Sequence, residues 1–102
     1  MWGTMEKANY VAERMICRKI ASNPRCAWEF RVHALAEMLH DMDPSVTQPD
    51  VKHMLMNCHV TLVEYKTDIL FRAEGKSLDG RHIKAIVAVF QEQPRIKVIT
   101  VF

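Results

Sequence analysis

A chain of 102 residues has room for one ordinary core and not for two. With 49% apolar and 25% charged residues, its composition excludes a disordered segment, and no apolar run approaches the ~20 residues of a membrane span. The net charge is +2, but residues 1–51 carry −1 and residues 52–102 carry +3, so a basic excess compatible with nucleic acid lies in the second half.

Cys17, Cys26 and Cys58 form no CxxC pair and are odd in number, which reads as reduced thiols in a cytoplasmic protein. No signal peptide is expected, because the acidic Glu6 interrupts the N-terminal stretch. The sequence contains no P-loop, no GxGxxG fingerprint and no serine nucleophile elbow.

In chain order, residues 5–21 predict a helix, with Ala8, Val11, Ala12, Met15, Ile16 and Ile20 at spacings of three and four. Pro24 ends it. Residues 27–32 predict a short strand or extended lead-in, with Trp28, Phe30 and Val32 on one side. A second helix is expected from His33 to Asp41, its apolar stripe made by Leu35, Met38 and Leu39. Thr47-Gln48-Pro49-Asp50 resembles a capping box, and the helix it opens runs to Asn57 with Val51, Met54 and Leu55 inward. From His59 the apolar period changes to two. Residues 59–65, 68–75, 81–91 and 95–102 are four strand candidates, and the short turns at Asp79-Gly80 and Gln93-Pro94 favour antiparallel neighbours. The expected architecture is α+β: N-terminal helices on one face of a twisted antiparallel sheet of about four strands, forming a single domain over residues 1–102.

Strand parity sorts the two faces of that sheet. Ile69, Phe71, Ala73, Ile83, Ala85, Val87, Ile96, Val98 and Thr100 share the helix-covered face. The other face mixes Arg72, His82, Lys84, Arg95 and Lys97 with Ile86, Ile99 and Val101. It reads as a contact surface for a phosphate-bearing ligand such as RNA or for a partner protein, the alternative being a solvated sheet face.

From Phe30 onward the chain resembles a small prokaryotic family, the domain of unknown function 4258. The carrying residues are Phe30-Arg31-Val32-His33-Ala34 with Met38, Thr47-Gln48-Pro49-Asp50-Val51, Leu70-Phe71-Arg72-Ala73-Glu74-Gly75, Leu78-Asp79-Gly80-Arg81 and the closing strand Ile96–Phe102. The shared core covers residues 28–102, and the helix over 5–21 is an addition to it. The family's layout is similar to the RelE-like toxin nucleases, so the resemblance implies an endoribonuclease acting without metal or other cofactor, a toxin with a cognate antitoxin. The sequence departs from the family at Glu37, where the family places an arginine.

Metal-free RNA cleavage needs groups that move protons and cations that offset the charge on phosphorus. His33, Arg72 and Lys84 are the candidate catalytic residues, and His82, Arg95 and Lys97 the candidate substrate-binding ones. The bland alternative for His33 is packing of the helix start. Arg81 is expected to pair with Asp79 in the turn, and Thr100 to bond within the core. His53, Cys58 and His59 lie close in sequence, but their spacing is poor for zinc. The reading from another class is a non-enzymatic, self-associating or RNA-binding module, with no membrane partner.

Overall fold

The structure, a computed structural model, describes residues 10–102. The start of the first expected helix lies outside the described residues. Helix α1 spans Val11–Ala21, and a short strand β1 (Ala27–Phe30) follows. Helix α2 (Val32–Ala36) runs on into a π-helical turn over Glu37–Asp41, and α3 spans Gln48–Met56. The strands β2 (His59–Tyr65), β3 (Ile69–Lys76), β4 (His82–Phe90) and β5 (Arg95–Val101) complete the chain.

The class is α+β, as expected, but the sheet has five strands and is mixed, in the order β1-β5-β4-β3-β2. The extended segment at 27–30 is the fifth strand: it pairs in parallel with β5, Ala27 beside Arg95 through Phe30 beside Val98. A parallel neighbour needs a long crossover, here two helices and three strands, so no local turn signals it. The meander β2–β5 is antiparallel, as its short turns require. Gly80 has φ +84 in the β3–β4 turn, a conformation that other residues rarely adopt.

The helices put one core over one face of the sheet. Cys17, Ile20 and Ala21 of α1, Ala34 of α2, Met38 of the π-helical turn, and Val51, Met54 and Leu55 of α3 join Ala73, Ile83, Ala85, Val87, Ile96 and Val98 in a single cluster. Two helical stripes differ from the periodicity reading. Met15 is 63% exposed and Val11 is exposed, because α1 turns Cys17 inward and sends the Arg18 guanidinium to the Cys58 carbonyl (Nε–H to O, 2.8 Å). On α2 and its π-helical extension the small Ala34 and Met38 face the core, leaving Val32 83% exposed and Leu35 and Leu39 outside. Helix α3 begins as its sequence predicts: the Asp50 N–H donates to Thr47 Oγ1, and the Thr47 N–H donates to Asp50 Oδ2.

Two bulges re-aim side chains. Val60 pairs with Ala73 and Leu62 with Arg72, so Thr61 is an extra residue in β2. In β5, Val98 faces Val87 and Thr100 faces Ile86, so Ile99 is extra. Beyond Ile99 the alternation is inverted. Val101, expected on the mixed face, is 1% exposed in the core, and Thr100, expected among core residues, stands opposite Ile86 on the mixed face. The Arg81 guanidinium also differs from expectation: it donates to the carbonyls of Pro44 (2.6 Å) and Ser45, tying the β3–β4 turn to the loop before α3. Among the described residues no helix is long and apolar enough to cross a membrane.

Candidate functional site on the open sheet face

Opposite the helices, the antiparallel register sets the side chains of the uncovered face into rows. His59 of β2 faces Glu74 of β3, and Glu74 faces Lys84 of β4. One step towards the β3–β4 turn, Lys76 faces His82; one step the other way, Leu62, Arg72, Ile86 and Thr100 cross the sheet in line. Residues facing each other across an antiparallel pair lie on the same side of the sheet. Three candidates from the sequence, Arg72, His82 and Lys84, are therefore gathered within two adjacent strands.

Their common neighbour is Glu74. Its Oε1 lies 3.1 Å from His82 Nε2, and its Oε2 accepts from the Thr61 hydroxyl at 2.8 Å. Arg72 donates its Nε–H to Thr61 Oγ1 at 3.0 Å, so the hydroxyl links the guanidinium to the carboxylate. Partial burial opposes the charge on Glu74. The bonds from Thr61 and His82 and the nearby Lys84 ammonium outweigh it and hold the carboxyl below the ordinary glutamate value. The Thr61 bulge makes this network possible, since it brings the hydroxyl into reach of both strand β3 side chains.

His33 stands elsewhere. It occupies the first turn of α2 with its side chain 72% exposed, and its Nε2 is 3.3 Å from Glu37 Oε2. The other oxygen of Glu37 accepts from the Thr100 hydroxyl and from the Val101 N–H (3.0 Å). Strand β1 ends its pairing with β5 at Val98, so Glu37 caps the stretch of β5 edge that β1 leaves open. Ile86 intervenes between Thr100 and Arg72, which places those two about 10 Å apart across two strand spacings. The arrangement thus sets His33 on the rim of the open face, at the β5 edge and two strands from Arg72.

The two remaining candidates are engaged near the far end of β5. The Arg95 guanidinium lies over the Phe90 ring at 4.3 Å and pairs with Glu29 at 3.6 Å. A surface cavity of about 390 Å³ adjoins it, formed by the β4–β5 turn and Ala27. Lys97 pairs with Asp68 at 3.9 Å. Glu74, Thr61, Glu37 and His59 are the contributors that sequence reasoning did not assign to a site. Glu37 is legible as the i+4 neighbour of His33, whereas the others depend on strand register.

No known protein family, curated protein or solved structure matches this chain.

Proposed function

We propose that the protein is a metal-independent endoribonuclease that takes RNA on the open face of its sheet, and that it acts in the cytoplasm as the toxin of a toxin–antitoxin pair. The observation that carries the reading is the gathering of Arg72, Lys84 and His82 around Glu74. Cations held in fixed positions offset phosphate charge, and an imidazole beside them moves protons near neutral pH. Arg95 and Lys97 extend the basic surface along β5, and apolar Ile86 and Phe90 give bases a surface to lie on. Helices on one side of the sheet and an uncovered opposite side are also the layout of the RelE-like nucleases, towards which the short motifs between Phe30 and Phe102 point. Within this reading His33 is a rim residue whose imidazole reaches RNA only where the strand passes the β5 edge.

Incubation with mixed RNA, with and without ribosomes, tests the activity: cleavage in either condition is expected, and intact RNA in both refutes it. Arg72→Ala is expected to lower the slope of log affinity against log salt by about 1, the signature of one lost phosphate contact. An unchanged slope would remove Arg72 from the RNA surface.

A second reading rests on the exposed Val32, Leu35 and Leu39, which follow one another at helical spacing along α2 and its extension. This stripe suits a protein-interaction module, self-associating or bound to a partner. A strict monomer by light scattering, with no protein co-purifying, counts against it.

A further inference from the structure

A second cavity, of about 350 Å³, opens where the C-terminal end of α3 meets β2, β3 and β4, bordered by His53, Asn57, His59, Gly75, Lys76 and His82. Three imidazoles and an ammonium group bordering one solvent-open cavity are an unusual concentration for a chain with five histidines. His59 and His82 lie on the same face of the sheet, on either side of strand β3 and of Glu74. Two strand spacings and an offset of two residues along the strands separate their backbones by about 12 Å, a gap that admits a phosphodiester between the rings. Gly75, at the floor of this region, packs directly under α3: a Cβ there would meet the Cys58 Cα and Met54 Cγ at 3.4 Å.

Resting on the ribonuclease reading above, we propose that this cavity is the phosphodiester-cleaving centre, with His82 and His59 as its two proton-transfer residues and Lys76 as its cation. Glu74 decides the roles. A carboxylate only accepts hydrogen bonds, so the His82 Nε2 that faces it carries a proton, and in the neutral ring the lone pair is on Nδ1. His82 Nδ1 takes the proton of a ribose 2′-hydroxyl as the 2′-oxygen attacks phosphorus. The bond from phosphorus to the 5′-oxygen breaks, and protonated His59 gives its proton to that oxygen. The products are a 2′,3′-cyclic phosphate and a free 5′-hydroxyl; one proton is taken up and one released, so the step balances without water, metal or oxidant. Lys76, directly across from His82, offsets the charge that builds on the phosphoryl oxygens.

The test is cleavage of a short single-stranded RNA by the full chain, with product ends identified by mass spectrometry, for the wild type and for His82→Asn, His59→Gln and the control His40→Ala. Both cavity variants are expected to lose about 10²–10⁴-fold in rate, the usual worth of a positioned acid or base, and His40→Ala, exposed and outside the cavity, to stay within about twofold. All three sites are exposed, and matching thermal unfolding curves check that each variant folds. Wild-type cleavage that survives both cavity substitutions overturns this proposal while leaving the ribonuclease reading standing; no cleavage by the wild type overturns both. Loss of wild-type cleavage on adding EDTA also overturns it, because a metal would then be doing the work assigned to the imidazoles. A readout free of turnover uses inorganic phosphate: the ring signals of His59 and His82 in carbon-edited NMR are expected to move together on titration, with His40 unmoved. The reverse pattern refutes the assignment.

Discussion

The protein contains two histidine–glutamate pairs of the same chemical make-up in opposite circumstances. His33 and Glu37 sit four residues apart on one helical stretch, and the glutamate is committed to the backbone of β5 through Val101 and to the Thr100 hydroxyl. His82 and Glu74 come from neighbouring strands, and their glutamate answers to Thr61, beside Arg72 and Lys84. The first carboxylate closes a strand edge and holds a nearly free imidazole. The second is ringed by cations, and its histidine borders a cavity with two further histidines. An imidazole next to a carboxylate is therefore no index of chemistry by itself; what the carboxylate otherwise bonds to, and what surrounds the pair, separates a structural tie from a reactive arrangement.

That contrast breaks or holds on stability first. Glu37→Ala removes the acceptor for the Thr100 hydroxyl and the Val101 N–H, and is expected to cost about 2–3 kcal/mol, since each partly buried donor left unpaired costs ~1–3 kcal/mol. Urea unfolding measures it, and wild-type stability would show that the β5 edge needs no cap. Glu74→Gln keeps the side chain's shape and is expected to cost about 1 kcal/mol at neutral pH. Its larger signature is pH dependence. The Glu74 carboxyl is held below its ordinary value in the folded protein, so its contribution is present above that ordinary value and is lost as pH falls through the depressed one. Unfolding midpoints followed into acid should fall less steeply for Glu74→Gln than for the wild type; parallel curves would mean that the network does not favour the carboxylate. The smallest effect belongs to His33→Ala, within about 0.5 kcal/mol, as for an exposed side chain with one ion-pair contact. A larger loss would make His33 a full member of the edge cap.

The class of fold, the capping box of α3, the antiparallel meander and the identity of the mixed face were all legible in residues 47–98, because each follows from local periodicity or turn chemistry. Parity failed where a single extra residue entered a strand. Nothing in Val98-Ile99-Thr100-Val101 marks Ile99 as a bulge, yet it exchanges the faces of Thr100 and Val101. The parallel strand β1 was hidden for a different reason: its partner lies some 68 positions later, Ala27 beside Arg95, and pairing at that range has no short-range trace. For the candidate site, the sequence supplied Arg72, His82 and Lys84 by parity alone. It did not supply Glu74 as their centre, nor His59 as a counterpart to His82, since both relations are facts of register between strands.

The position of β5 has a consequence for how the molecule comes into being. This strand is made after the other four of the sheet, yet it lies between β1 and β4 and contributes Ile96, Val98 and Val101 to the core. Until it arrives, β1 has no neighbour to pair with and the inner edge of β4 is bare. The emerging chain must wait, with its helices made and its hairpins formed, for the segment that joins β1 to β4, and contacts of such long range slow folding and prolong exposure of sticky edges. A nascent chain arrested before residue 95 is thus expected to depend on a holdase, whereas one in which residues 95–102 have emerged is not.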